Sequence, residues 1–285
     1  MHKSNFSSIS KIIYEAKKGK IFILVDDEDR ENEADLVIPA SKITPKLINF
    51  MAKNGRGLIC LAMDSKQVKK LNLSLMSPIN QSRTKTAFTV SIEAKKGVTT
   101  GISAKDRSHT IKVAIRKNVK KNDLVSPGHV FPIVSKDGGV LVRAGHTEGS
   151  VDISRLAKCG SSAVICEIMN DDGTMAKGEQ LIKFAKKHKL KLGRIDDLIA
   201  YRLKSEKLIK FKKISTIKIK DEVYKIKIFE NLLDGSEHFA LVKGIIKKNK
   251  KTRVRVVSSN IVKNYLLDEK LPNSFYNTIK YFKNF

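Results

Sequence analysis

The chain has 285 residues, carries a formal net charge of +27 at pH 7, and is 41% hydrophobic. This length predicts one large or two ordinary domains with a substantial core. The sequence has no run of 18 apolar residues, which argues against a membrane span, and its first residues lack the apolar core of a secretory signal. We therefore expect a cytoplasmic protein. The three cysteines, Cys60, Cys159 and Cys166, fit neither a disulfide framework nor paired zinc spacing.

The positive charge has two interpretations. A basic chain often binds nucleic acid, but the lysines here occur as scattered pairs, there is no tryptophan, and only 6% of residues are aromatic. Such a composition offers few stacking platforms for bases. We favour solvated surface lysines that also attract an anionic substrate. Nucleic-acid binding is kept as the alternative.

The first two-thirds of the chain alternates helical and extended patterns, which is typical of an α/β protein. The predicted helices are 8–18, 44–55, 103–116, 150–158, 178–189 and 194–204. The predicted strands are 21–26, 35–39, 57–63, 88–92, 140–142 and 163–168, with an extended piece entered at Pro127. We expect a mixed sheet flanked by helices, an α/β/α sandwich, over residues 1–205.

Beyond residue 205 the pattern changes to alternation of apolar and polar residues. Residues 214–220 and 223–228 are predicted to form antiparallel strands, with a turn at 232–235. We therefore expect a small β-rich module over residues 206–285.

An acidic run, Asp26 to Asp35, follows directly after the first predicted strand. Carboxylates this close repel one another unless a cation lies among them. Arg30 supplies one cation, and a divalent metal is the other candidate, because hard cations bind oxygen ligands. Ligands of α/β proteins gather beyond the carboxyl ends of strands, so the position of this run indicates a site and not merely a solvated loop.

Three further motifs lie near predicted strand ends: 127–129, 143–148 and 166–167. Together with the acidic run they supply carboxylates, two histidines, an arginine and a glycine, a set that can bind a metal, hold a phosphate and move protons. Arg143 followed by Ala144 and Gly145 lets backbone N–H groups approach an anion, and the helix that follows favours a phosphate at its N-terminus.

Five stretches of the sequence resemble the 3,4-dihydroxy-2-butanone 4-phosphate synthase family of riboflavin biosynthesis. They are 27–35, 100–107, 127–132, 143–148 and 166–173, in the family's order. Two departures are visible. Ala34 stands where the family often has Gly, and Ser108 and His109 replace the usual Ala-Thr.

The resemblance implies a metal-dependent carbon–carbon lyase that converts D-ribulose 5-phosphate to 3,4-dihydroxy-2-butanone 4-phosphate and formate. It implies Mg²⁺ or Mn²⁺ held by Glu31 and His146, and His129 and Glu167 as catalytic residues. It also implies a homodimer with sites near the interface. The composition and the lack of an 18-residue apolar run predict no nucleic-acid and no membrane partner. Cys60 is left open as a substrate contact or a small buried residue. The implied substrate-binding residues are Arg30, Glu31, Asp35, Arg143, Ala144, Gly145, His146, Thr147 and Glu167.

The C-terminal stretches 235–244 and 254–260 are similar to GTP cyclohydrolase II, which is fused to this synthase in many bacteria. That family holds zinc with three cysteines, but no cysteine follows Cys166, and Asn260 stands roughly where the first would fall. The chain also ends at Phe285. We therefore expect a truncated, inactive domain without zinc. The alternatives are a bifunctional enzyme and a basic nucleic-acid-binding protein on a former enzyme scaffold.

Overall fold

The computed structural model describes residues 5–27, 30, 32–219, 222–247, 249–256, 277, 278, 280 and 281. Glu31 and Asn260, both named above, lie outside the described residues. The chain divides into two compact units, the first formed by Met1–Lys210 with Asn231–Ser236 and the second by Phe211–Glu230 with Glu237–Phe285. Within the described part of the chain, no helix is both long enough and apolar enough to cross a membrane.

Seven strands of the first unit form one sheet. They are β1 (Phe22–Val25), β2 (Ala34–Pro39), β3 (Cys60–Met63), β4 (Ile92–Ala94), β5 (Leu124–Val134), β6 (Ser162–Glu167) and β7 (Leu192–Arg194). Their order across the sheet is β4-β5-β3-β6-β2-β1-β7. The pairs β1/β7 and β3/β5 are parallel, and the other neighbouring pairs are antiparallel. The predicted mixed sheet is confirmed.

The helices of this unit cover both faces of the sheet. They are α1 (Ile9–Lys17), α2 (Pro45–Phe50), α3 (Ser65–Leu71), α4 (Ala104–Ala114), α5 (His146–Leu156), α6 (Glu179–His188) and α7 (Ile195–Ser205). Because strand side chains alternate between the two faces, β1 sends Ile23 into one core with α2, α4 and α6, and Leu24 into another with α1, α5 and α7. The predicted three-layer arrangement is confirmed.

Several helices begin where the sequence predicts, because their caps are intrinsic to it. The side-chain oxygens of Ser8, Thr44 and Ser103 each accept a hydrogen bond from a backbone N–H of the first turn that follows. Pro45 occupies the first turn of α2, where its missing N–H costs nothing.

Three expectations were wrong. Residues 140–142 are not a strand, since Gly138 and Gly139 both have positive φ and open a 3₁₀ turn, Gly139–Leu141. The peptide N–H of Val140 donates to an oxygen of Asp152, at 2.9 Å, instead of joining the sheet.

Helix α5 begins at His146 rather than residue 150. The strand expected over 88–92 is displaced to β4, and both α3 and β7 were not predicted.

In the second unit, three strands form a small sheet in the order β10-β9-β8. They are β8 (Ile209–Ile219), β9 (Glu222–Asn231) and β10 (Glu237–Val242). Strands β9 and β10 pair antiparallel, with Phe239 opposite Ile228. The β-rich character predicted for this part of the chain is confirmed.

Candidate active site

Two predicted site carboxylates lie side by side on the sheet. Asp35, the second residue of β2, is the direct cross-strand partner of Glu167, the last residue of β6. Residues directly opposite in an antiparallel pair point to the same face, with Cβ atoms about 4.5–5.5 Å apart. Asp35 is only 4% exposed. The acidic run and the Cys166-Glu167 motif, more than 130 residues apart by their numbers, therefore meet at one place.

The Glu167 carboxyl is held in place by a hydrogen bond, and its pKa is raised. Its Oε2 accepts a hydrogen bond from the backbone N–H of Leu58 at 2.8 Å. Gly57 makes this approach possible, because a Cβ at that position would lie 2.4 Å from Oε2. Burial, and next the charge of Asp35, raise the pKa of Glu167 to about 7. A carboxyl with this pKa can both give and take a proton near neutral pH.

His146 joins these two carboxylates from the helix layer. It is the first residue of α5, which packs on β2 and β6, and the residue is 7% exposed. Its charge interaction with Glu167 favours the ionised carboxylate and partly opposes the raised pKa. Asp35, His146 and Glu167 therefore form one cluster between the sheet and α5.

The N-terminus of α5 is suited to an anion. Its N-cap residue is Gly145, which has no side chain to bond the N–H groups of the first turn. Those N–H groups and the helix dipole together favour a phosphate. A Cβ at Gly145 would lie 2.4 Å from Nη1 of Arg143, so glycine lets the guanidinium lie directly beside the helix terminus.

Arg143 is fixed by three hydrogen bonds. Its Nη1 donates to Glu148 at 2.6 Å, and its Nη2 donates to the carbonyl of Thr84 at 2.9 Å and to the hydroxyl of Thr86 at 3.2 Å. The other oxygen of Glu148 accepts from the backbone N–H of Lys136. The guanidinium is thus rigid and its orientation near Gly145 is set before any ligand binds.

The described part of the acidic run supports the charge argument made from the sequence. Asp26 is buried and forms an ion pair with Arg30, and its Oδ1 accepts from the backbone N–H of Asp27 at 2.6 Å. Arg30 is therefore a cation among the carboxylates, as predicted. Glu28, Asp29 and Glu31 lie outside the described residues.

His129 lies apart from this cluster. It belongs to β5, and β3 lies between β5 and β6. Neighbouring strands are ~4.8 Å apart, so its backbone is roughly 10 Å from that of Glu167. The Nδ1 of His129 is 2.8 Å from Oε2 of Glu93, on β4. Glu93 was not predicted as a site residue from the sequence. The only signal for it was an acidic residue between the apolar residues Ile92 and Ala94.

Two cysteines near the cluster are not nucleophiles. Burial, and next the charge of Glu167, raise the pKa of the Cys60 thiol well above its usual range. The same causes act on Cys166. A thiol in such surroundings stays neutral and unreactive at physiological pH. Cys60 is 1% exposed, which agrees with a packing role.

The side chains of this cluster are of the types that bind a hard divalent cation, since Mg²⁺ and Mn²⁺ accept imidazole nitrogen and carboxylate oxygen as ligands. Within the part of the chain that the structure describes, no group of three or more His, Cys, Asp or Glu side chains is arranged to hold a metal ion. The predicted metal pair also requires Glu31, which is not described. The ligand pair therefore stays a prediction.

Comparison with known proteins identifies the family. The family model described as 3,4-dihydroxy-2-butanone 4-phosphate synthase matches residues 10–201. The chain belongs to this family. A relative in Neisseria meningitidis named 3,4-dihydroxy-2-butanone 4-phosphate synthase is 48% identical over 89% of this chain and 70% of its own length. An Aquifex aeolicus protein named riboflavin biosynthesis protein RibBA is 50% identical over 89% of this chain and 63% of its own length.

Solved structures of the family share the fold. RibBX, described as a two-domain 3,4-dihydroxy-2-butanone 4-phosphate synthase from A. baumannii, has a TM-score of 0.77 at 44% identity and covers 84% of this chain and 70% of its own. A synthase crystallised in complex with two magnesium ions has a TM-score of 0.68 at 36% identity, over 70% of this chain and 98% of its own. The prediction that the chain is an enzyme of this family, in riboflavin biosynthesis, is confirmed.

Proposed function

We propose that the chain converts D-ribulose 5-phosphate to 3,4-dihydroxy-2-butanone 4-phosphate and formate, with bound Mg²⁺ or Mn²⁺. The observation that carries this proposal is the Glu167 carboxyl, whose pKa of about 7 suits proton transfer, beside Asp35 and His146. The reaction begins by removing a proton next to a carbonyl group, a step that needs a positioned base. The magnesium ions in the related structure support the metal requirement.

The phosphate end of the substrate binds at the N-terminus of α5. The N–H groups after Gly145, together with the fixed guanidinium of Arg143, hold the phosphate oxygens. The sugar then extends over the sheet towards Asp35 and Glu167, where Asp35 and Arg30 hold its hydroxyl groups. Fixing both ends of the substrate presents its reacting carbons to Glu167.

Glu167 takes the proton from the carbon beside the carbonyl group and returns protons in later steps. His129 provides a second proton-transfer group for the loss of water and the release of formate. A divalent ion held by Glu31 and His146 would act as a Lewis acid that stabilises negative charge on the substrate oxygens. Burial of the cluster strengthens these interactions, because the local dielectric constant is low.

Formate release tests this function. Purified protein is incubated with D-ribulose 5-phosphate and Mg²⁺, and formate and the four-carbon phosphate are quantified by ¹³C NMR from uniformly labelled substrate. We expect the two products in equal amounts, complete loss with EDTA, recovery with added Mg²⁺ or Mn²⁺, and loss in Glu31→Gln and His146→Ala. The exposed variant Glu179→Gln is the matched control. Turnover that persists in EDTA would contradict the metal requirement.

We also propose that the enzyme is a homodimer, as the family resemblance implies. Sedimentation equilibrium tests this directly, since a dimer has twice the 31.9 kDa mass of the chain. A single species at the monomer mass throughout the micromolar range would contradict the proposal.

We propose, finally, that the C-terminal segment of this chain does not hydrolyse GTP. No cysteine follows Cys166 in the 285 residues, and a zinc site of the cysteine type needs thiolate ligands. Incubation with GTP and Zn²⁺ should give no ring-opened pyrimidine, whereas its appearance would overturn the proposal.

A further inference from the structure

The Pro127-Gly128-His129 motif lies in an irregular part of the sheet. Ile92 pairs with Val130, but the next residue, Glu93, pairs with Val125, so residues 126–129 bulge out of the ladder. Bulges of this kind re-aim side chains. The bulge is fixed to the segment before β4: the hydroxyl of Ser126 donates to the carbonyl of Ser91 at 2.7 Å, and the N–H of Gly128 donates to the Ser91 hydroxyl at 3.1 Å.

The bulge brings the imidazole of His129 onto the carboxyl group of Glu93. Oε2 of Glu93 lies 2.8 Å from Nδ1 of His129. The two side chains differ in environment, since that of His129 is 43% exposed and that of Glu93 is 12% exposed. A buried carboxylate is costly unless it is paired. Its other oxygen, Oε1, has no hydrogen-bond partner among the described residues. The contact with His129 is therefore the main interaction that offsets the cost of burying Glu93.

A second motif of the sequence analysis, the stretch 100–107, lies against Glu93. Gly101 has φ +89°, and a Cβ there would lie 1.4 Å from Oε1 of Glu93, so only glycine leaves room for this carboxyl group. Asp106 in turn holds Gly101, since one of its oxygens accepts from the Gly101 N–H at 3.2 Å and from the Thr99 hydroxyl at 2.7 Å. The stretch 100–107 thereby leaves room for the Glu93 carboxyl and holds in place the glycine that provides it.

We infer that Glu93 is the positioning residue of His129: its carboxylate accepts a hydrogen bond from Nδ1–H of His129 and so leaves Nε2 as the unprotonated nitrogen, ready for proton transfer. A carboxylate can only accept a hydrogen bond, so the contact selects the Nδ1–H tautomer. The nitrogen that faces the substrate is set by the bond the other nitrogen makes. This inference rests on the proposed proton-transfer role of His129.

The test compares Glu93→Gln with Glu93→Asp and with a control in the second unit, Glu237→Gln, which removes an exposed carboxylate that pairs with Lys212. Gln keeps the size of the side chain but no longer selects one tautomer by charge. We expect kcat for formate release to fall about 10- to 100-fold in Glu93→Gln, by analogy with the loss of a carboxylate that orients a metal-bound histidine, with KM nearly unchanged. Glu93→Asp keeps the charge and should retain more of kcat than Glu93→Gln.

The tautomer itself is measured by ¹⁵N NMR on protein labelled at histidine, with the His129 signals identified by their loss in His129→Gln. We expect a protonated Nδ1 and an unprotonated Nε2 in the wild type, and loss of this preference in Glu93→Gln but not in Glu237→Gln. This readout does not depend on turnover, and a thermal melt shows that each variant is folded.

The outcomes separate the inference from the proposed function. An unchanged tautomer and unchanged kcat in Glu93→Gln, together with an inactive His129→Gln, would overturn only the role of Glu93. A His129→Gln variant with wild-type kcat would instead overturn the proton-transfer role of His129, whatever the tautomer measurement shows.

Discussion

Asp35 and Glu167 face each other directly across the antiparallel pair of β2 and β6. The sheet thus places two carboxylates on one face, beside the buried imidazole at the start of α5. Burial and mutual repulsion raise the pKa of Glu167 to about 7. The strand register and the burial of this part of the sheet therefore together create the feature on which the proposed chemistry depends.

Removing the charge of Asp35 should lower the pKa of Glu167. In Asp35→Asn we expect that pKa to move from about 7 towards its ordinary value of 4.5, but not to reach it, because burial is the larger cause. The measurement is a ¹³C NMR titration of the glutamate side-chain carboxyl carbons, with the Glu167 signal assigned from Glu167→Gln. An exposed substitution, Glu179→Gln, should leave the titration of Glu167 where it is. A Glu167 pKa that stays at 7 in Asp35→Asn would contradict the coupling.

The raised pKa of Glu167 should appear as a pH-dependent loss of stability. The carboxyl ionises near 4.5 in the unfolded chain and near 7 in the folded one. Between these values the folded protein holds a proton that the unfolded chain has lost, so the free energy of unfolding falls as the pH rises from 4.5 to 7. At pH 8 the difference between the two pKa values corresponds to a loss of about 3 kcal/mol in the free energy of unfolding. Glu167→Gln cannot ionise and should be more stable than the wild type at pH 8, by on the order of 1–3 kcal/mol.

Urea unfolding at pH 5 and pH 8 measures this effect. The advantage of Glu167→Gln over the wild type should be clearly larger at pH 8 than at pH 5. Equal differences at both pH values would show that Glu167 is not perturbed in the folded state.

Gly128→Ala should displace His129. A Cβ at Gly128 would lie 2.2 Å from both the carbonyl carbon and the carbonyl oxygen of Ile92, and backbone atoms cannot move aside as a flexible side chain can. We expect the rate of formate release to fall at least ~100-fold, the lower end of the range that is typical when a general acid–base group is lost. Gly173→Ala is the control, since nothing lies within 4 Å of its Cβ and only the strain of positive φ is added. A fully active Gly128→Ala would show that the bulge does not position His129.

Arg143→Lys should weaken substrate binding more than it slows the chemical steps. Lysine keeps the charge but loses the fork that reaches Glu148, Thr84 and Thr86 together. Hydrogen bonds from a charged group contribute about 1.5–3 kcal/mol, so we expect KM for the sugar phosphate to rise about 10- to 100-fold. Steady-state kinetics of formate release gives KM and kcat separately, with the exposed Arg116→Lys as the matched control. An unchanged KM would remove Arg143 from the phosphate site.

Much of the fold could be predicted from the sequence because its local signals agree with one another. The caps at Ser8, Thr44 and Ser103 mark helix starts, and the apolar runs of β1 and β6 are buried on both faces. The charge of the acidic run predicted a cation among its carboxylates, and Arg30 occupies that place beside Asp26. These features depend on residues close together in the chain.

The rest depended on local backbone conformations that glycine adopts and on one contact between residues far apart in the chain. Val140 to Val142 has the apolar character of a strand, but the left-handed Gly138 and Gly139 turn the chain before it can extend. Helix α5 starts at His146 after the N-cap Gly145, which has no capping side chain, so no local signal marks this helix start. Glu93 contacts His129, which lies 36 residues further along the chain, only because β5 bulges at this point. No local sequence pattern predicts that contact.

We propose that the buried Glu167 carboxyl moves protons in the conversion of D-ribulose 5-phosphate. The decisive experiment compares formate release by the wild type and by Glu167→Gln at saturating substrate and Mg²⁺ and at pH 7.5. We expect formate from the wild type and a rate at least ~100-fold lower in Glu167→Gln, with both proteins folded and Glu179→Gln unaffected. A Glu167→Gln enzyme that works within a few-fold of the wild type would contradict it.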